Sequence, residues 1–129
     1  MIAGGIGITP FRSMIRHAVD TAAGNAIILL YSNDTPDEIA FREELDSLAE
    51  NNDWLTVIHT ITGDSGSWSS RTGRIDADLI AEHAGRLDSP VYYVCGPPDM
   101  VKAMDEDFFR MNWIFPKPID AAKNSAAIR

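Results

Sequence analysis

Short apolar runs without a polar break, set between stretches of helical spacing, constrain this chain more than any other feature. Ala26-Ile27-Ile28-Leu29-Leu30-Tyr31 shows no alternation, the pattern of a strand covered on both faces in a parallel sheet. Trp54 to Ile61 and Val91-Tyr92-Tyr93-Val94-Cys95 read the same way, and Met1-Ile2-Ala3 reads as the last residues of a buried first strand whose beginning is absent. Helical spacing fills the intervals. Thr9 is the expected N-cap and Pro10 the first helical position, with Phe11, Met14, Ile15 and Ala18 along one face and Gly24-Asn25 as the stop. Ile39, Phe41, Leu45 and Leu48 suggest a second helix ending before Asn51, Ile75, Leu79 and Ile80 a third from Asp76 to Ala84, and a fourth runs from Asp99 to Met111. Alternation of strand and helix predicts an α/β three-layer sandwich with right-handed crossovers and a mostly parallel sheet of about five strands, the first truncated. Trp113-Ile114-Phe115 is a candidate last strand, stopped by Pro116 and Pro118. The expected organisation is one domain over 1–115 and a disordered tail over 116–129.

Composition narrows the function classes. A chain of 129 residues, 45% hydrophobic and 23% charged, has the balance of one soluble globular domain, and no apolar run approaches the roughly 20 residues that cross a bilayer. Nineteen acidic against 11 basic residues, a net charge of −8, disfavours contacts with a phosphate backbone, so nucleic acid is not an expected partner. The single cysteine, Cys95, excludes an intrachain disulfide, and no signal peptide is read at the start; a reducing cytoplasm is the expected location. His17, His59 and His83 lie far apart, without metal-ligand spacing, and are expected to be surface or packing residues.

In an open parallel sheet, ligands bind at the carboxyl ends of strands where the strand order reverses. The exits of the first and fourth predicted strands both carry unusual loops. Gly5-Ile6-Gly7 allows a tight turn and close backbone approach, and the helix after it directs free N–H groups and a positive end at an anion such as pyrophosphate. Alone, such a turn serves equally to let helix and strand pack. Pro10 stands where the dinucleotide fingerprint has a third glycine or alanine, and the absence of a Gly-Lys-Ser/Thr sequence excludes a P-loop. Cys95-Gly96-Pro97-Pro98 puts a thiol at a strand end before residues that stiffen the start of a helix; alone, it is equally a small buried residue and a turn.

Together, Gly4-Gly5-Ile6-Gly7-Ile8-Thr9-Pro10 and Cys95-Gly96-Pro97-Pro98-Asp99-Met100 resemble the nucleotide-binding domain of the ferredoxin–NADP reductase superfamily, with its Gly-Gly-x-Gly-x-Thr-Pro and Cys-Gly-Pro-Pro-x-Met motifs. Tyr31-Ser32-Asn33, Asp37 through Phe41, Glu44 and Leu45 are similar to the intervening strand and helix, so the resemblance covers about residues 1–111. It implies a Rossmann-like domain that holds NADH or NADPH while a hydride passes from nicotinamide C4 to N5 of an FAD on a separate domain. By position, Gly4, Gly5, Gly7, Thr9 and Pro10 would cradle pyrophosphate and ribose. Thr9 would also face the nicotinamide, and Cys95, Gly96, Pro97, Pro98 and Met100 would form its pocket. Cys95 and Thr9 are thus the residues expected at the reacting ring. Nothing near Cys95 in the sequence supplies a base or a cation, so it is not read as a nucleophile.

Ser32, Asn33 and Asp34, at the exit of the second strand, are where such folds read the adenosine ribose. A carboxylate there repels a 2′-phosphate and favours NADH, whereas Arg71 and Arg74 in the loop beyond the third strand offer an alternative phosphate contact. The leading expectation is the pyridine-nucleotide half of a flavoprotein reductase with an unidentified electron acceptor, inactive and without flavin by itself. The alternative is a free-standing nucleotide-binding or regulatory module without catalysis.

Overall fold

The computed structural model describes residues 1–110. Four parallel strands form one sheet in the order β3-β2-β1-β4, with β1 at Ile2–Gly4, β2 at Ile27–Asn33, β3 at Leu55–Ile61 and β4 at Val94–Cys95. Helices α1 (Ile8–Thr21), α2 (Arg42–Glu50), α3 (Ala77–Ala84) and α4 (Pro98–Arg110) alternate with them. The expected α/β sandwich is present, with four strands rather than five among the described residues. The candidate strand at Trp113–Phe115, the boundary at 115 and the tail lie outside them.

Successive residues of a strand point to opposite faces, and the unbroken apolar runs therefore supply two cores. Ala3, Leu29 and Tyr31 pack with Ile8, Phe11 and Ile15 of α1 and Leu45 of α2. Ile2 and Leu30 pack on the other face with Leu79, Ile80 and Ala84 of α3 and Met104 of α4. From β1 the chain steps through α1, β2 and α2 to β3, then returns by α3 to the far side of β1. With a common crossover hand, the reversal moves the connection to the other layer.

Local signals hold in most places. Asp76 caps α3, its carboxylate accepting the Leu79 N–H at 2.9 Å, and Pro98 opens α4 where its missing N–H costs nothing. Four expectations need correction. The second helix begins only at Arg42, with Ile39 extended and Phe41 left-handed at φ 59° ahead of it. The first helix begins at Ile8 with Gly7 as N-cap, so Thr9 lies inside it and its hydroxyl instead donates to the Ile6 carbonyl at 3.0 Å. That helix also stops at Thr21, where Ala22 turns left-handed at φ 49°, before Gly24-Asn25 is reached. The fourth strand contracts from Val91–Cys95 to Val94–Cys95: the Tyr93 carbonyl still accepts the Ile2 N–H at 2.7 Å, but Val91 and Tyr93 are 68% and 47% exposed and regular pairing with β1 covers only Val94 and Cys95.

Candidate functional site

β1 is flanked by β2 and β4, so the strand order reverses beside it and the carboxyl ends of β1 and β4 form the switch point where open parallel sheets bind their ligands. Ala3 pairs with Tyr31 on one side and Cys95 on the other, and Gly4 pairs with Ser32. The first loop and the Cys95 loop, ninety residues apart in sequence by rough count, thus leave the sheet side by side.

They touch. A methyl group on Gly7 would stand 2.6 Å from the Cys95 carbonyl carbon and 2.8 Å from the Gly96 nitrogen, so only hydrogen fits there. Gly96 is equally confined, 2.9 Å from the Met100 sulfur and 3.1 Å from the Gly4 nitrogen on the same measure, and Gly4 is closed in by Met100 and Pro97. The small residues of both motifs are required by one another. Gly5 is different. It adopts φ 51° and a side chain there would meet nothing within 4 Å, so it supplies the left-handed turn and leaves the backbone open above the crevice. A 3-10 turn over Gly5–Gly7 leads directly into α1, with the Ile8 N–H donating to the Gly5 and Ile6 carbonyls, so the positive end of this helical segment lies at the first loop.

Thr9 and Pro10 lie exposed on the first turn of α1, while Cys95 is a free, half-buried thiol on the opposite wall. Asn33 ends β2 and is 5% exposed, yet neither its Oδ1 nor its Nδ2 makes a well-formed hydrogen bond within the protein. The Tyr31 hydroxyl is near enough that the Asn33 side chain and the Ala40 backbone partly offset the upward push of burial on that phenol. The Asn33 amide and the Tyr31 hydroxyl beside it are thus buried polar groups at the exit of β2 that are poorly satisfied within the protein.

Asp34 is exposed and held by the loop after β3: Thr62 Oγ1 donates to its Oδ1 at 2.8 Å and the Gly63 N–H to its carbonyl at 2.9 Å. Thr62 and Gly63 were missed by the sequence reading, although a Thr-Gly pair at the exit of a strand is a recognisable turn signal. Arg71 is engaged elsewhere: it directs its guanidinium at Glu82 of α3, 2.9 Å away, and Arg74 is exposed beyond it. The histidines are packing or surface groups, His17 exposed and His59 bonded to Asp46 at 2.8 Å.

The family described as "Oxidoreductase NAD-binding domain" matches residues 1–106. The chain belongs to that family. Within it, this oxidoreductase NAD-binding domain is 36% identical over 118 residues to the nitrate reductase [NADPH] of Emericella nidulans, covering 88% of this chain and 14% of that one. It is 36% identical over 105 residues to NADH-cytochrome b5 reductase 2 of Rattus norvegicus, covering 79% and 38%. Among solved structures, the cytochrome b5 reductase domain of Ulva prolifera nitrate reductase superposes with a TM-score of 0.80 at 31% identity, covering 92% of this chain and 46% of that one. The chain therefore spans less than half the length of each of these relatives. The ferredoxin–NADP reductase-like domain implied by the paired motifs is the one found.

Proposed function

We propose that this chain holds NADH in the crevice between β1 and β4 and presents its nicotinamide to an FAD carried by a neighbouring domain. The observation that carries the reading is the mutual fit of the two loops, Gly7 against the Cys95 carbonyl and Met100 beneath Gly4 and Gly96. The residues suit the nucleotide. Gly5 leaves backbone exposed at the positive end of α1, which favours a pyrophosphate, and the poorly satisfied Asn33 amide gives a buried hydrogen-bonding group beside it. Thr9 donates its proton to Ile6 and keeps lone pairs to accept from the nicotinamide amide; Cys95, Gly96, Pro97 and Pro98 shape the opposite wall. Bound there, the nucleotide would supply a hydride from its nicotinamide ring to a flavin carried by the neighbouring domain. The chain contributes orientation and exclusion of water rather than a covalent step, so Thr9 and Cys95 act by contact with the ring.

The preference for NADH rests on Asp34, whose carboxylate would accept ribose hydroxyls and repel a 2′-phosphate, and on the engagement of Arg71 with Glu82. The names of the relatives favour a haem protein as onward electron acceptor. A lone free cysteine suits a reducing, cytoplasmic setting.

Titration of the purified chain with NADH and NADPH tests the reading. NADH should bind, Gly7→Ala should abolish binding, and supplying the flavin domain should restore NADH oxidation that the colourless chain lacks alone. Absence of nucleotide binding, or flavin absorbance and turnover in the chain alone, would overturn it. Tighter NADPH binding that disappears in Arg71→Ala would overturn the NADH assignment alone.

A further inference from the structure

Beyond the contacts that hold the pyrophosphate and nicotinamide, we propose that Trp68 is a positioning residue for the adenosine half of the nucleotide, acting through the loop 62–73. The inference rests on the reading of the crevice as a nicotinamide-nucleotide site. Most of this loop is polar and exposed, a composition with little apolar surface to hold it in one shape. Trp68 is the exception. Its ring packs against the core under α1 and α2, edge-on to His59 at 6.5 Å between centroids, with the Arg42 guanidinium 4.8 Å above it.

The indole is also bonded to the loop's return. Its Nε1–H donates to the Arg71 carbonyl at 2.8 Å, the same carbonyl that accepts the Ile61 N–H at 3.2 Å. The Gly73 N–H then donates to the Ile61 carbonyl at 2.8 Å, so residues 71–73 add a short parallel bridge to the open edge of β3. Trp68 thereby pins the far limb of the loop to the strand from which the near limb departs.

The near limb holds Asp34. Thr62 engages one carboxylate oxygen, and Gly63 approaches so closely that an added methyl would lie 2.9 Å from the Asp34 carbonyl oxygen. An exposed carboxylate left alone would sample several rotamers and hold a ribose poorly. Fixed by Thr62, it offers its other oxygen to a ribose hydroxyl in one orientation. The selectivity proposed for Asp34 is then a property of the pinned loop as much as of the carboxylate, and Trp68 is its peg.

The experiment measures affinity for NADH, NADPH, 5′-AMP and reduced nicotinamide mononucleotide in the whole chain and in two variants. Trp68→Phe keeps a ring and removes the N–H; Trp68→Leu removes the aromatic ring as well. Trp68→Leu should weaken NADH and 5′-AMP by about tenfold, narrow the preference over NADPH, and leave the mononucleotide within about twofold, with Trp68→Phe intermediate. If Trp68→Leu fails to fold, Trp68→Phe carries the test, with a loss of about threefold expected for NADH and 5′-AMP alone. Unchanged NADH affinity, or a mononucleotide affinity that falls in step with it, would overturn the role of Trp68. A native chain that binds no NADH would instead remove the reading beneath it.

Discussion

Gly7 lies against the carbonyl of Cys95 with no room for a methyl group between them. Through that contact the loop that turns into α1 and the loop that ends β4 become one surface, and the crevice between them acquires a fixed width.

Substituting Gly7 and Gly5 separates packing from conformation. Gly7→Ala forces the Cys95 loop away and should cost about 1–3 kcal/mol of stability, with nucleotide binding lost. Gly5→Ala meets open space but must hold φ near 51°, a strain of about 1–2 kcal/mol. Urea unfolding of both variants, read beside NADH titration, checks the ranking: only Gly7→Ala should change the register of the two loops.

Asp34→Ala should raise affinity for NADPH relative to NADH by about tenfold, since it removes a repulsive carboxylate and a ribose acceptor together. Thr62→Val should shift the ratio in the same direction by less, because it frees the carboxylate without deleting it. Competitive titration with the two nucleotides reads both changes; an Asp34→Ala variant with an unaltered ratio would mean that the ribose is recognised elsewhere.

Ala22→Gly should stabilise the domain by about 1 kcal/mol. Ala22 closes α1 in the left-handed conformation, φ 49°, which glycine adopts without strain and alanine does not. A rise in thermal midpoint with unchanged NADH affinity is the expected result.

The layers of this domain were legible because they depend on features that are local in the chain. An unbroken apolar run such as Ile27 to Tyr31 must bury both faces wherever it goes, and an acid such as Asp76 caps a helix by reaching only three residues ahead. Glycines in the two motifs announced close backbone approaches in the same way. What they approach was not written locally. The contact of Gly7 with Cys95, the start of α1 at Ile8 instead of after Thr9, and the shrinkage of the last strand to Val94–Cys95 all follow from how distant segments meet. Arg71 could be placed on a loop from its neighbours, but whether its charge met a phosphate or Glu82 depended on where α3 came to rest. The setting of the Trp68 peg is of the same kind: its bond to the Arg71 carbonyl is local to the loop, but Thr62 finds Asp34 only because β2 and β3 lie side by side and bring their exits together. Periodicity and capping are set over a few residues of chain, whereas hydrogen bonds and steric limits between loops are set by distance in space, and only the packed sheet supplies that.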